Sequence, residues 1–148
     1  MRRSTLLILT ILLSVAGIVD AWYLAEHALT NTALSCGVGA LSGCNTVAQS
    51  EYSHFFGIPL GVYGLFFYAV VFVLAACATK LLSRRFLQAL FGLGIVGLLF
   101  SFYFLWLQFF VINAICIYCL GSFAISVIIF ICTTLLVRVR TEPPPPVM

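Results

Sequence analysis

Residues 86 to 137 read FLQALFGLGIVGLLFSFYFLWLQFFVINAICIYCLGSFAISVIIFICTTLLV, and none of these 52 side chains carries a charge. As one helix the run would be about 78 Å long at ~1.5 Å per residue, against a bilayer hydrocarbon core of about 30 Å. The chain must therefore turn back inside it. Asn113 is the best place for the turn. It leaves Phe86 to Ile112 and Ala114 to Val137, each long enough to cross a bilayer with some tilt.

Upstream, Phe55 to Thr79 is a further charge-free stretch, with Pro59 near its start, where a missing amide donor costs a helix nothing. Leu6 to about Leu29 is a fourth candidate. Asp20, Glu26 and His27 lie in its second half beside Trp22 and Tyr23, so its far end is expected at the membrane interface. These stretches predict an all-α integral membrane protein: a four-transmembrane-helix bundle with spans near 6–29, 55–79, 86–112 and 114–137. Residues 1–140 form a single membrane domain. The tail from Thr141 to Met148, with four consecutive prolines, cannot continue a helix and is expected to be extended and disordered.

Composition agrees. The chain has 148 residues, 64% hydrophobic and 7% charged, with a mean hydropathy of +1.21. That balance excludes a soluble enzyme, a disordered tail and a nucleic-acid binder. Arg2 and Arg3 precede the first span, Lys80, Arg84 and Arg85 separate the second from the third, and Arg138 and Arg140 follow the fourth. All seven basic residues thus fall on one side, which the positive-inside rule makes cytoplasmic. Both termini are then expected inside. The large loop from Thr30 to His54 and the Asn113 turn face outward. The alternative for the first segment is a cleaved signal peptide, but no small-x-small cleavage site follows it.

This topology sorts the six cysteines. Cys36 and Cys44 lie in the outer loop, and Cys116 and Cys119 just after the outer turn. Cys77 and Cys132 fall toward the other side, roughly 20 Å or more along their helices at 1.5 Å per residue, and read as small buried apolar residues. Cys116-Ile117-Tyr118-Cys119 places two sulfurs on one face at a helix N-terminus, where unpaired amides and the helix dipole stabilise a thiolate. A ring this small removes little chain entropy when closed and opens easily. Cys36 and Cys44 bracket Gly37, Gly39 and Gly43, which let the intervening ring close and then swing. Together the pairs point to redox chemistry. Two static structural disulfides are one alternative. A zinc site is another, disfavoured by the need for four rigid ligands with only His27 and His54 in support.

The chain resembles the vitamin K epoxide reductase family, including its prokaryotic members that oxidise thiols for disulfide formation. The likeness covers nearly the whole chain. It rests on four spans, Cys36-x7-Cys44, the run Cys44-Asn45-Thr46-Val47-Ala48-Gln49-Ser50, Gly57-Ile58-Pro59 opening span two, and Cys116-x-x-Cys119 opening span four. The resemblance implies an electron relay. A reduced thioredoxin-fold partner on the outer face attacks Cys36, and Cys44 is freed to exchange with Cys116. Cys119 is then released beside a quinone of the ubiquinone, menaquinone or vitamin K type, drawn from the membrane pool. Ser50 matches a family Ser/Thr that orders the loop near the quinone. Tyr52 and Phe123 are further candidates for quinone contact, with Phe55, Phe56, Phe104 and Trp106 near the same half.

Phe123 stands where vertebrate members have a tyrosine that donates to the quinone. No match is found to the asparagine of the vertebrate pocket either. Both departures favour quinone-linked thiol oxidation over vitamin K epoxide reduction in the strict sense. No thioredoxin domain is seen in the sequence, so the partner is expected to be a separate polypeptide. The rival from a different class is a small thiolate-based heavy-metal transporter. It is disfavoured because the inner half offers only Cys77 and Cys132 as ligands and no acid.

Overall fold

A computed structural model of the chain describes residues 3–36, 39, 42–81 and 83–141. Four helices long and apolar enough to cross a membrane make up most of it. They are α1 (Arg3–Thr30), α3 (Leu60–Lys80), α4 (Arg84–Leu107) and α5 (Ile117–Thr141), with a short α2 (Cys44–Ala48) in the loop between α1 and α3. Thr141, expected to open the disordered tail, is instead the last residue of α5, and the rest of that tail, like Gly37 within the loop, lies outside the described residues.

α1 packs on α3 and α5, and α4 closes the bundle against α5 and α3. Because lipid is as apolar as leucine, contact area and close backbone approach hold such helices together. A methyl group on Gly61 of α3 would come 2.6 Å from the Ala25 nitrogen of α1, so only glycine lets those backbones meet. Gly97 of α4 receives the Phe67 ring of α3 in the same way, and Gly94 sits against Thr133 of α5. Gly92, on the same helix, faces open space. The core includes Leu6, Val71, Leu87, Leu90, Ile129 and Leu136. Tyr68 is the largest fully buried side chain, and its hydroxyl is shared with the Ser122 and Ser126 hydroxyls of α5 at 2.7 and 3.2 Å.

Two local departures from regular helix set the ends of the spans. Span two begins at Leu60 rather than at Phe55, because a two-residue-strand hairpin precedes it: β1 (His54–Phe55) pairs antiparallel with β2 (Ile58–Pro59). Phe56 and Gly57 at its tip both have positive φ, the pattern of a tight two-residue hairpin turn. Gly57 therefore serves the turn. The other departure directly follows α4, where Gln108–Ile112 continues the span as a π-helical turn. Asn113 then takes the left-handed conformation at φ 53°, which asparagine tolerates better than most residues. The chain reverses there, at the residue the sequence singled out.

Candidate functional site

The cysteines sort into two groups in space. Cys132 lies in the main core of the bundle and Cys77 is half-buried on α3. Cys44 and Cys116 share a separate buried cluster with Leu34, against which Cys36, Tyr118 and Cys119 pack. Cys36 and Cys44 are joined as a disulfide with Cα atoms 6.0 Å apart. Cys116 and Cys119 are free thiols.

Main-chain bonding brings the loop to the last helix. The Gly43 amide donates to the Ile115 carbonyl at 3.1 Å, and Ser42 pairs with Cys116 as a single antiparallel bridge. A Cβ on Gly43 would stand 2.8 Å from the Ile115 nitrogen and 2.9 Å from its carbonyl oxygen. Glycine is what permits this approach. Cys44 follows directly and is completely buried, so the docked loop delivers its second sulfur into the cluster that holds Cys116.

Four side chains fix the two halves. Asn45 clips the base of the loop, its Oδ1 accepting the Leu34 amide at 2.8 Å and its Nδ2 donating to the Leu34 carbonyl at 3.2 Å. Tyr118 donates to the Ser35 carbonyl at 2.9 Å, and the Ser35 amide donates to the Tyr23 hydroxyl at 3.2 Å. The Tyr23 and Tyr118 rings lie 4.9 Å apart. These contacts tie the segment just before Cys36 to α1 and α5. Gln108, buried in the π turn, reaches across the Asn113 reversal and accepts the Cys116 amide on Oε1 at 2.9 Å.

Cys116 stands immediately before α5, and its carbonyl accepts the Leu120 amide at 3.1 Å. Its thiol is lowered from an ordinary value of 9.0 to about 7. The largest cause is the hydrogen bond from the Cys119 thiol, with the Cys119 and Tyr118 amides adding to it. Burial and the charge of Asp20 work the other way. A thiol so placed is a nucleophile near neutral pH, next to a partner sulfur that can close a disulfide with it.

A comparison with protein families matches residues 8–134 to the vitamin K epoxide reductase family. The chain belongs to that family. It is accordingly an integral-membrane oxidoreductase, and the vitamin K epoxide reductase family is quinone-linked in general. The surroundings of Cys119 fit such a group. Phe123 lies one turn further along α5 and meets Phe102 of α4 edge-on at 5.1 Å, which makes an apolar aromatic border beside a half-buried sulfur.

The other sequence candidates are placed differently. Ser50 donates to the Val47 carbonyl at 2.7 Å, and its own carbonyl accepts the Ser53 amide and hydroxyl. These bonds order the loop after α2. Tyr52 is exposed in the following 3-10 turn (Glu51–Ser53), and Phe56 is 88% exposed at the hairpin tip. Sequence reasoning missed Gly43's packing role, Asn45 and Gln108. An amide side chain deep in a charge-free run, eight residues before Cys116, was the signal for Gln108.

Proposed function

We propose that this vitamin K epoxide reductase family member is a quinone-dependent thiol oxidase that reoxidises a separate thioredoxin-fold partner, with its four loop-end cysteines on the extracytoplasmic side. The observation that carries the reading is the docking of Gly43 on Ile115, which seats disulfide-bonded Cys44 in one buried cluster with the free Cys116 thiol.

The chemistry closes in balanced steps. A partner thiolate attacks Cys36 and breaks the Cys36–Cys44 bond. The second partner thiol displaces Cys36, so the partner leaves as a disulfide and the loop pair is left as two thiols. Cys44 attacks Cys116 in a Cys116–Cys119 disulfide and expels the Cys119 thiolate. Cys36 then recloses on Cys44 and leaves Cys116 and Cys119 reduced. That is the state described above, with the loop pair bonded and the C-x-x-C pair free. The quinone accepts the two electrons and two protons given up as Cys116 and Cys119 bond again.

In this reading Cys36 receives the partner, Cys44 carries the exchange inward, Cys116 is the fixed sulfur it meets, and Cys119 faces the quinone. Ser50 and Tyr52 flank the approach from the loop, and Phe123 borders the ring. Phe123 has no hydroxyl to donate, which favours a plain quinone over an epoxide. Residues 1–140 act as one domain.

The test is quinone reduction by a dithiol partner, with Cys36, Cys44, Cys116 and Cys119 each changed to serine and Cys77→Ala and Cys132→Ala as controls. Each of the four is expected to abolish turnover and the controls to keep it. Full turnover in Cys116→Ser would overturn the relay.

A further inference from the structure

Asp20 is an acid inside a membrane helix, and the steps above do not use it. It stands ten residues before the end of α1, about 15 Å in at 1.5 Å per residue. Its Oδ2 is sealed from solvent and has no hydrogen-bond partner among the described residues. An acid left unpaired inside a bilayer bundle is costly, and such groups mark proton or ion handling.

Its neighbours place it at the redox centre. Counted along α1, Asp20 is three residues, about 4.5 Å, from each of two fixed contacts. Toward the terminal end, Gly17 lies under the Tyr68 ring, where a Cβ would be 2.5 Å from the ring. Toward the loop end, Tyr23 packs on Tyr118. Tyr68 bonds Ser122, three residues beyond Cys119, so the carboxyl lies about a turn below the C-x-x-C pair. The titratable groups its charge acts on are Tyr68 from α3, and Cys116, Tyr118 and Cys119 at the start of α5.

We propose that Asp20 is the proton-holding residue of the redox centre, taking up a proton as Cys116 and Cys119 ionise and giving it back as their electrons leave. This rests on the quinone-linked oxidation proposed above. Two thiols closing a disulfide release two electrons and two protons. The quinone, as oxidant, receives both electrons, and both protons finish on its oxygens. Asp20 carries one of them in between and ends as it began. The physical basis is repulsion: the Asp20 carboxylate opposes a thiolate at Cys116, so ionising the sulfur favours a proton on the carboxyl.

The experiment uses the full chain with Asp20→Asn and Asp20→Glu. In reduced protein, alkylation of Cys116 is followed by peptide mass spectrometry from about pH 5 to 9. Oxidation of the same protein by a short-chain ubiquinone is followed separately. Asp20→Asn is expected to lower the Cys116 alkylation midpoint and to slow oxidation on the order of a hundredfold, and Asp20→Glu to restore both. An unchanged midpoint overturns the proposal, and so does a shifted midpoint with a wild-type oxidation rate. If the wild-type protein reduces neither a short-chain ubiquinone nor a menaquinone analogue, the function proposed above falls and the alkylation midpoint alone decides for or against Asp20.

Discussion

The amide of Gly43 is bonded to the carbonyl of Ile115 at 3.1 Å, and this bond joins the loop that carries one cysteine pair to the segment that carries the other. The contact is made by backbone on both sides. Its strength therefore depends on how close the two chains come, which the hydrogen at the Gly43 Cα decides.

Gly43→Val is expected to lift the loop from Ile115, because its Cβ would fall 2.8 Å from the Ile115 nitrogen. In a Cys36→Ser, Cys119→Ser background, oxidation should trap a Cys44–Cys116 disulfide. Adding Gly43→Val should slow that trapping about tenfold, the effect of ~1.4 kcal/mol lost in docking. With all four cysteines present, the Cys36–Cys44 bond should still form. Non-reducing gels of alkylated protein read both.

Gln108→Leu removes the acceptor for the Cys116 amide. Leaving that donor buried and unpaired should cost about 1–3 kcal/mol, measured as a lower Tm in detergent. The same cross-linking assay should slow as well, since Cys116 loses its tether to α4. Gln108→Glu keeps an acceptor oxygen and is expected to fall between the two.

Cys116 ionises near pH 7 instead of 9.0 because the Cys119 thiol donates to it. Its thiolate therefore predominates above pH 7. Below that, alkylation of Cys116 should fall about tenfold per pH unit as the sulfur takes up its proton. Cys119→Ala removes the donor and should move the midpoint upward. A midpoint that stays near 7 in that variant would assign the shift to the helix amides alone.

Tyr68→Phe keeps the ring against Gly17 and removes the hydroxyl shared with Ser122 and Ser126. A loss of about 0.5–2 kcal/mol is expected, seen in thermal unfolding. Gly17→Ala should be the more damaging change, since its methyl would meet the ring at 2.5 Å with no room to move.

What could be read from the sequence was whatever composition and spacing determine. A charge-free run too long for one crossing required a reversal, and Asn113 at φ 53° makes it. The four spans and the two cysteine pairs were legible for the same reason, since hydrophobic length and short spacings are properties of contiguous chain. The hairpin before α3 was not. Its residues His54 to Pro59 are mostly apolar, and only the pairing of Phe55 with Ile58 distinguishes them from the start of a helix. Nor were the partners of Gly43, Asn45 and Gln108, or the surroundings of Asp20, legible. Each depends on which helix lies beside which, and spacing along the chain carries no record of that.

The π turn over Gln108–Ile112 adds a residue to the last turn of its helix, and each residue of a regular helix rotates the chain by about 100°. Deleting one residue there to make the helix uniform would swing Asn113 and the strand of chain leading to Cys116 around the axis, away from the bay where the loop rests. The irregularity thus works as an angular setting, and a shorter, tidier helix would aim the last cysteine pair at lipid.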